Sequence, residues 1–381
     1  MMASLGKNQS FAREVNNLLV LKALSKQSLS ATELSSHFKL SNATLSSLLK
    51  NLSSLGLIEK VGSTSTSGLG RKMVKFSLSS TYGNILVVSL SSLECHAKLF
   101  TLKGEVLIEK EFKFEKYDLK TIEKVISSIK EGYEGPLNVR YTVLCMPGLV
   151  NKVSGELQVG SQFDASLFSS DNKLEKIFSN AFSCPVKIEN DTKILMQGEL
   201  ANGNFDNSEF GMLTYVDYGL GGCFQSKGNI LYGSRGYSGE IGRVMIESGS
   251  SYANIDDLCS IRYLKDKIEP ILGFRPHTAD IVSSFNQGNE KVRQIVLESG
   301  FNLGKGLDKI NSVLDLDTIV ISGRVNEFGA DYFAAVRKGF VSMNGCLLKF
   351  GLDNEEALFL GAKQLGITYI FNNAVKKEEV L

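Results

Sequence analysis

The first residues that could do chemistry lie in the stretch "ILVVSLSSLECHAKLF" (residues 85–100), where a turn from Ser89 to Leu93 separates two apolar strands. A turn of this shape, at the entrance to an α/β body, is a common place for a phosphate. A phosphate cradle needs a carboxylate to hold the metal and glycines whose amide groups can approach the ligand. This turn carries serines and leucines instead. The sequence therefore predicts strand, turn and strand, without the groups that phosphoryl transfer requires.

Charge divides the chain into a basic beginning and an acidic remainder. Residues 1–80 contain ten lysines and arginines against three acidic residues, a balance of +7, whereas the whole chain carries +1. The remaining 301 residues must therefore carry −6. A basic N-terminal segment attached to an acidic remainder is typical of a domain that binds a polyanion. The alternative is that this difference in charge is a chance fluctuation.

Composition limits the class of protein further. The 381 residues are 43% hydrophobic and 22% charged, which is typical of a globular protein with two or three domains. The six cysteines are scattered without a C-x-x-C pair, which favours reduced thiols in a cytoplasm. The N-terminus lacks a secretory apolar region, and no apolar run approaches the ~18 residues of a membrane span. We therefore expect a cytoplasmic protein with no membrane partner.

Three helical patterns and a hairpin fill the first eighty residues. Residues 10–26 form one helix whose expected buried face is Val15, Leu18, Leu19, Leu21 and Leu24. Ser30 and Glu33 form a capping box that opens a second helix, which ends near Lys39. Ser41 caps a third helix that stops at Gly56. Two strands follow around a loop rich in glycine, serine and threonine, and this order predicts a winged helix-turn-helix.

The third helix is the predicted recognition helix. It buries a stripe at 3.6-residue spacing, namely Leu45, Leu48, Leu49, Leu52 and Leu55. Small polar side chains near the N-terminus of such a helix can enter the major groove and reach base edges. The expected DNA contacts are Ser41, Asn42, Thr44, Ser46, Ser47 and Lys50 in the helix, with Arg71 and Lys72 in the wing. Further phosphate contacts must come from Lys22, Lys26 and Lys39. A helical domain that binds only protein is the alternative.

After Thr81, strands and helices alternate, which predicts an α/β body with mostly parallel or mixed sheets. Four stretches of this body, in order, resemble the repressor, ORF, kinase (ROK) family: "MPGLVNKVSGEL" (146–157), "PVKIENDTKILMQGE" (185–199), "DYGLGGCFQSKGNILYGSRGYSGEIG" (217–242) and "DTIVISGRV" (317–325). With its winged head, the chain is similar to the repressor branch of that family. The resemblance covers residues 85–370.

The resemblance implies a domain organisation. Residues 1–80 would form the winged helix-turn-helix, and residues 81–381 a two-lobed, actin-like (ribonuclease-H-like) sugar-kinase body. The lobes are expected at 81–191 and 192–381, with the C-terminal helix returning to the first lobe.

The resemblance also sets expectations for two phosphate turns. The kinases of the family carry Asp-x-Gly-Gly-Thr in the first turn, and those places hold Ser89, Ser91, Ser92 and Leu93 here. Their second turn, Gly-Thr-Gly-x-Gly-Gly, reads Asp217-Tyr218-Gly219-Leu220-Gly221-Gly222. The metal-facing carboxylate is lost, and an aspartate and a tyrosine would crowd and repel a nucleotide phosphate. We therefore expect no catalysis and no cofactor, although Asp191 occupies the place of the family's general base.

The positions that bind sugar in the family are better retained in this sequence. Asn190 and Asp191 match the pair that hydrogen-bonds sugar hydroxyls in the family, and Glu240 matches a second sugar-binding acid. Gly148 is expected to line the same site. A carboxylate suits this role because it accepts two hydroxyl protons at fixed geometry. Asn and Asp at this place also cap the following helix, and both roles can hold at once.

The metal ligands of the family are not kept. Family members hold zinc with one histidine and three cysteines, whose places are Arg243, Tyr252, Asn254 and Cys259 here. One thiolate cannot form a closed tetrahedral site, and an arginine repels a cation. We therefore expect no metal. A glutamate that contacts the sugar in the family is replaced by Ile261, so the expected pocket has lost two polar contacts.

Three functions remain open from the sequence. The first is a transcriptional repressor of carbohydrate-utilisation genes. It would be a homodimer or tetramer that binds double-stranded operator DNA, controlled by a sugar or sugar phosphate held between the lobes of an inactive body. The second is a ROK-type sugar kinase, acting on glucose or an N-acetylhexosamine, with residual ATP-dependent activity. The third is a DNA-binding scaffold that no longer binds a ligand. The altered phosphate turns favour the first.

Overall fold

A computed structural model describes residues 3–64, 73–91, 94–150, 157–158, 163–168, 173–341 and 345–376. The chain divides into two compact units. The first comprises residues 1–144, 162–188 and 363–381, and the second comprises residues 145–161 and 189–362. The lobe boundaries expected from the sequence, 81–191 and 192–381, stay a prediction.

The N-terminal part of the first unit is a winged helix-turn-helix, as predicted. Its elements are α1 (Ala3–Leu24), β1 (Leu29–Ser30), α2 (Ala31–Phe38), α3 (Asn42–Ser54), β2 (Ile58–Thr64) and β3 (Met73–Leu78). The strands form a sheet in the order β1-β3-β2, and β2 pairs antiparallel with β3. The short strand β1 is a feature that the sequence pattern did not indicate. Arg71 and Lys72, the predicted wing contacts, lie outside the described residues.

Both short helices of the head begin as predicted. The Ser30 hydroxyl accepts from the Glu33 N–H at 3.2 Å, and the Glu33 carboxylate accepts from the Ser30 N–H at 2.7 Å. The Ser41 hydroxyl accepts from the Thr44 N–H at 3.1 Å. Each cap satisfies an N–H group that has no partner within its helix, which contributes about 1 kcal/mol to stability. The connection from α2 to α3 is short because Lys39 adopts the left-handed conformation, with φ 53°.

The buried face of α3 follows the prediction closely. Leu45, Leu48, Leu49 and Leu52 are at most 4% exposed, whereas Leu55 is only half-buried. Burying one leucine side chain stabilises the fold by about 1.5–3 kcal/mol, so this stripe supplies much of the head's stability.

The buried face of α1 differs from the prediction. Val15 and Leu19 are 37% and 41% exposed, while Asn17 and Val20 are fully buried. The helix also begins at Ala3 rather than at Ser10. Apolar residues occupy every position from 18 to 21, so spacing alone does not select one face. The packing of the rest of the head makes that choice.

The remainder of the first unit is built on a sheet whose described strands have the order β10-β7-β4-β5-β6. Its elements are β4 (Asn84–Leu90), β5 (Glu94–Thr101), β6 (Val106–Lys113), α4 (Leu119–Glu131), β7 (Val139–Met146), a 3-10 helix (Ala165–Phe168), α5 (Lys173–Phe182) and β10 (Val186–Asn190). The short strands β8 (Leu149–Val150) and β9 (Leu157–Gln158), which follow β7 in the sequence, belong to the second unit. β4 and β5 form an antiparallel hairpin, which confirms the predicted strand, turn and strand. The Ser91 N–H and hydroxyl both donate to the Glu94 carbonyl at 2.9 Å. Ser92 and Leu93 lie outside the described residues.

The segment that joins the head to this sheet (residues 79–84) is fastened by the start of β7. The Arg140 Nε donates to the Tyr82 carbonyl at 3.1 Å, and the guanidinium lies 5.2 Å from the centroid of the Tyr82 ring. The Asn84 N–H donates to the Asn138 carbonyl at 2.9 Å, and the Asn84 side chain donates to the Leu137 carbonyl at 2.7 Å. These bonds fix the direction in which the chain leaves the head.

The second unit is built on a mixed sheet whose described strands have the order β13-β12-β11-β16-β17. Its elements are α6 (Asp191–Asn202), β11 (Phe210–Val216), β12 (Leu220–Ser226), β13 (Asn229–Leu231), a 3-10 helix (Ile241–Arg243), β14 (Met245–Ser248), β15 (Ser251–Asn254), α7 (Asp256–Cys259), α8 (Ile261–Leu272), α9 (Thr278–Asn286), α10 (Glu290–Leu314), β16 (Thr318–Ser322), a 3-10 helix (Arg324–Phe328), α11 (Gly329–Gly339), β17 (Leu347–Phe350) and α12 (Asn354–Lys376). The last part of α12 groups with the first unit. In the part of the chain that the structure describes, no helix is both long and apolar enough to cross a membrane.

The strands of the second unit explain where its polar residues collect. β11 pairs antiparallel with β12 and parallel with β16, and β16 pairs parallel with β17. One large apolar cluster, which includes Met212, Ile319, Leu303 and Tyr332, joins the sheet to α8, α10 and α11. Ligands of such sheets bind beyond the carboxyl ends of the parallel strands. In this unit those ends carry Asp217 and Arg324.

Candidate effector site and nucleic-acid interface

The exposed face of α3 carries the predicted DNA contacts. All six predicted helix residues are exposed to solvent: Ser41, Asn42, Thr44, Ser46, Ser47 and Lys50. Uncharged polar side chains therefore dominate this surface, which suits hydrogen bonding to base edges better than strong phosphate binding. The Ser41 hydroxyl is shared with the helix cap and lies 2.8 Å from the Thr44 hydroxyl. The DNA contacts themselves stay a prediction.

Exposed cations lie on other elements of the head. Lys22 and Lys26 at the end of α1, Lys39 at the end of α2 and Lys60 in β2 are all exposed. Phosphate contacts from lysine fix the orientation of a protein on DNA without reading sequence. The arrangement therefore separates the polar face that could read bases from the charges that could hold the backbone.

Asn190 and Gly148, two of the predicted sugar contacts, meet at the start of α6. The Asn190 side chain accepts from the Lys193 N–H at 3.3 Å through Oδ1, and its Nδ2 donates to the Gly148 carbonyl at 2.8 Å. Gly148 has φ +129°, a conformation that favours glycine. The capping role of Asn190 is thereby confirmed. The sugar contacts of both residues stay a prediction.

Asp191 follows directly, as the first residue of α6. Its Oδ1 accepts from the Thr192 N–H at 2.7 Å and from the Thr192 hydroxyl at 3.2 Å. Burial raises the pKa of the Asp191 carboxyl, and the negative charge of Asp217 raises it further. Its Oδ2 takes part in neither bond, so this oxygen can accept a hydroxyl proton from a ligand.

A buried lysine next to this pair was missed by the sequence reasoning. Lys193 is 4% exposed, its Nζ donates to the Gly236 carbonyl, and it lies 5.2 Å from the centroid of the Tyr232 ring. The Tyr232 hydroxyl in turn donates to the Glu189 carboxylate at 3.2 Å, and Glu189 also accepts from the Asn190 N–H at 3.1 Å. These bonds tie the loop of residues 232–240 to the start of α6. No periodicity marks Lys193, because α6 is buried on most of its surface.

Glu240, the other predicted sugar contact, lies at the end of this loop. The loop is attached to β12 by the bond from the Gly222 N–H to the Gly239 carbonyl, at 2.8 Å. The Glu240 side chain is exposed, and its Oε2 lies 3.5 Å from the Arg243 Nε. Its carboxylate is thus paired with an arginine, and its contact with a sugar stays a prediction.

The glycine turn of residues 217–222 begins with a carboxylate that has three partners. The Asp217 side chain accepts from the Tyr215 hydroxyl at 2.9 Å and from the Tyr218 N–H at 2.8 Å, and lies 3.4 Å from the Arg324 Nε. The Ile261 N–H donates to the Asp217 carbonyl at 2.8 Å. The turn is therefore filled by the chain's own polar groups. The roles of Tyr215 and Arg324 were not predicted: Tyr215 lies only two residues before Asp217, on β11, whereas the Arg324 contact joins distant parts of the chain.

The residues at the family's zinc positions do not fit a metal. Arg243 and Tyr252 are exposed, and Asn254 offers only an amide. Cys259 is fully buried in the apolar core, and burial raises the pKa of its thiol, so the thiolate that zinc requires is disfavoured. Within the described residues, no three His, Cys, Asp or Glu side chains are grouped in a way that could hold a metal ion.

Charged hydrogen bonds connect the same region instead. The Arg262 guanidinium donates to the Asp256 carboxylate at 2.6 Å and to the Asp257 carboxylate at 3.1 Å. The other oxygen of Asp256 accepts from the Leu220 N–H at 2.6 Å. Asp256 thus joins α7 to the glycine turn, and these bonds raise the pKa of Arg262. Sequence reasoning did not select any of these three residues.

Comparison with known proteins places this fold and site in a family. The sequence profile of the ROK family matches residues 92–344, which is more than half of the chain. The chain belongs to the ROK family, as the sequence motifs predicted. A second profile, described as bacterial regulatory protein, arsR family, matches residues 16–60, within the winged head.

Individual relatives agree with these matches along most of the chain. A xylose repressor from Caldicellulosiruptor bescii is 22% identical over 357 residues, covering 87% of this chain and 88% of the relative. The DNA-binding transcriptional dual regulator NagC of Escherichia coli strain K12 is 20% identical, with coverage of 84% and 83%. A crystal structure of a ROK family transcriptional regulator, a homologue of the E. coli MLC protein, has a TM-score of 0.76 at 19% identity, and the match covers 96% of this chain and 98% of that one. The head and the body therefore share the fold of a complete ROK regulator.

Proposed function

We propose that this protein is a DNA-binding transcriptional repressor of sugar-utilisation genes, whose effector is a small sugar bound at the start of α6. The observation that carries the proposal is the winged head, in which a capped helix exposes six polar residues and buries four leucines on its other face. Such a helix is built to enter the major groove of DNA. Two relatives that match this chain over most of their length are named xylose repressor and DNA-binding transcriptional dual regulator.

The effector part of the proposal is supported by the geometry around Asn190. The caps and bonds of Asn190, Asp191 and Gly148 hold one amide and one carboxylate at the entrance of α6, and the carboxylate keeps an oxygen for a ligand hydroxyl. A sugar offers several such hydroxyls in fixed positions. Binding there would be linked to operator affinity by a coupling free energy of ~1–3 kcal/mol, which corresponds to about a 5–150-fold change in occupancy.

The proposal excludes catalysis as the main role. Ser91 closes the first turn by bonding to Glu94, and Asp217 occupies the second turn with Tyr215 and Arg324 as partners. Phosphoryl transfer needs backbone N–H groups and cations free to hold a triphosphate and its metal. A coupled assay for ATP-dependent phosphorylation of a panel of hexoses should therefore give no turnover. Turnover that disappears in Asp191→Asn would establish a kinase instead.

DNA binding is the test of the whole proposal. Fluorescence anisotropy with DNA fragments that flank sugar-utilisation genes should show binding that weakens steeply as salt increases. Lys50→Ala should weaken binding and reduce the slope of log affinity against log salt by about one, because one phosphate contact is lost. Lys291→Ala, which removes an exposed lysine of α10 in the second unit, is the matched control and should leave the slope unchanged. Absent or salt-independent binding would remove the proposed function.

The proposed assembly is a homodimer or tetramer. One head offers few base contacts, and two heads joined by a symmetric interface double them on a palindromic operator. Light scattering during size-exclusion chromatography, with and without a DNA duplex, measures the number of chains. A protein that stays a single chain on its operator would contradict this part of the proposal and leave the rest intact.

A further inference from the structure

The carboxyl ends of β11 and β16 hold an ion pair of the chain's own side chains. The two strands run parallel, with Tyr215 opposite Ser322, and both then continue into loops. Gly323 has φ +113° and passes so close to the Val216 carbonyl that a Cβ atom would overlap it. Only a glycine allows this approach, which brings Arg324 beside Asp217 at 3.4 Å. The backbone therefore delivers a cation to the carboxylate of the glycine turn.

This turn also lies against the start of α6. A Cβ atom at Gly221 would be 3.0 Å from the Thr192 hydroxyl, so the strand that leaves the turn packs directly on the residue after Asp191. The charge of Asp217 reaches Asp191, since it contributes to the raised pKa of that carboxyl. A group attached to a hydroxyl bound at Asp191 would thus lie near a second carboxylate, whose charge is partly offset by the Arg324 guanidinium.

Three of the cations described around this place already bond to groups of the chain itself. Arg324 pairs with Asp217, Arg243 pairs with Glu240 at 3.5 Å, and the buried Lys193 donates to the Gly236 carbonyl. Lys265 lies near Arg324, and its pKa is lowered first by burial and then by neighbouring cations. By contrast, Asp191 has hydrogen bonds from Thr192 and no cationic partner among the residues that the structure describes.

A phosphate ester carries a charge of about −1.5 to −2 at neutral pH and requires cations or free N–H groups to replace its water. Hydroxyl groups have the opposite requirement, because carboxylates are their best acceptors. We propose that the effector site takes uncharged sugars and rejects their phosphate esters, and that Asp217 is the residue that determines this specificity. The inference rests on the proposed function and narrows it to one chemical class of effector.

Titration calorimetry on the full chain tests the inference with named pairs of ligands: D-glucose with glucose 6-phosphate, and N-acetyl-D-glucosamine with its 6-phosphate, together with D-xylose. The wild-type protein should bind at least one uncharged sugar, and should bind the matching phosphate at least about tenfold more weakly, since juxtaposed like charges are repelled. Asp217→Asn should keep the affinity for the uncharged sugar and gain about tenfold for a phosphate. Asp206→Asn removes an equal charge from an exposed turn of the same unit and should leave both affinities unchanged.

Two outcomes would overturn the inference. A wild-type protein that binds a phosphorylated sugar more tightly than its parent would place the cations Arg324 and Lys265, rather than Asp217, in control of the site. A protein that binds no uncharged sugar of the panel would also sink it. Anisotropy with DNA on the same preparation then shows whether the proposed repressor function survives. If Asp217→Asn does not fold, the wild-type comparison still decides, because repulsion of a phosphate must weaken at high salt while binding of an uncharged sugar must not.

Discussion

The helices α3 and α6 begin alike and differ in what their side chains face. Both start with a polar cap, Ser41 in α3 and Asn190 in α6, that accepts from a backbone N–H of the first turn. On α3 the polar residues after the cap are exposed, and only the leucine stripe is buried. On α6 seven residues are buried, including Lys193 and Glu199. The same local device thus leaves an exposed polar surface in the first unit and a buried polar corner in the second.

The two helices also differ in the charged side chains around them. The outer face of α3 is almost uncharged, and the cations around it are solvated. The start of α6 carries the buried Glu189 and Lys193 and the partly buried Asp191, with the partly buried Asp217 in the glycine turn, and burial makes an unpaired charge costly. A solvated surface tolerates substitution, whereas the buried corner should not. The predictions that follow test this contrast, in order of decreasing effect.

The leucine stripe of α3 should show the largest effect. Leu52→Ala removes a fully buried side chain from a small core and should destabilise the head by about 2–5 kcal/mol. DNA binding should be lost at temperatures where the second unit is still folded. Circular dichroism and anisotropy, followed together with temperature, measure both. Ser47→Ala, on the exposed face of the same helix, should leave the stability within about 0.5 kcal/mol of the wild type.

Lys193 should show the next largest effect. Lys193→Met keeps the length of the side chain but leaves the buried Gly236 carbonyl without its donor, which should cost about 1–3 kcal/mol of unfolding free energy. Chemical denaturation measures this loss, with Lys291→Met as the control on an exposed helix. Equal stabilities of the two variants would show that the buried corner is as tolerant as the surface.

Arg262 tests the region where the family holds zinc. Arg262→Gln removes the bonds to Asp256 and Asp257 and should reduce stability by about 1 kcal/mol, a modest value because the Arg262 side chain is 38% exposed and its charge is screened by water. A strong chelator should leave the melting temperature of the wild type unchanged, and elemental analysis should find no stoichiometric zinc. A chelator-sensitive melting temperature would mean that a metal, rather than Arg262, holds this region together.

Asp191 should show the smallest effect, and with the opposite sign. Its raised pKa means that the folded state binds a proton more readily than the unfolded state, so the stability contributed by this group falls as pH rises through the raised value. Asp191→Asn keeps the bonds from Thr192 without the buried charge, and should raise the melting temperature at pH 7 by roughly 2–4 °C. The gain should vanish near the ordinary value of 3.8, where the wild-type carboxyl is itself neutral. Scanning calorimetry at several pH values measures this, and a variant less stable at pH 7 would contradict it.

The sequence predicted the parts of the molecule that depend on local spacing. The caps at Ser30 and Ser41, the leucine stripe, and the hairpin of β4 and β5 all follow from residues within one or two turns of each other. The family motifs also placed Asn190 at the start of α6. The buried face of α1 was predicted correctly at Leu21 and Leu24 and wrongly at Val15 and Leu19, because a run of apolar residues fits several faces of a helix equally well.

The charges of the second unit could not be predicted in the same way. Lys193 meets Gly236, Asp217 meets Arg324, and Arg262 meets Asp256 and Asp257. The first two contacts join residues 43 and 107 positions apart in the sequence, and neither repeats with a period. Only the three-dimensional path of the loops, with glycines at the closest approaches, brings them together.

The bonds that Arg140 and Asn138 make to the segment after the head have a mechanical consequence. A head on a flexible linker could reach half-sites at many separations, whereas a head that the chain leaves in a fixed direction could reach only a narrow range of separations. In a symmetric pair of chains, the two heads would then bind half-sites at one preferred separation along the duplex. Residues at the start of β7 would then help to determine the separation of operator half-sites that the protein prefers, although they lie outside the predicted DNA contacts.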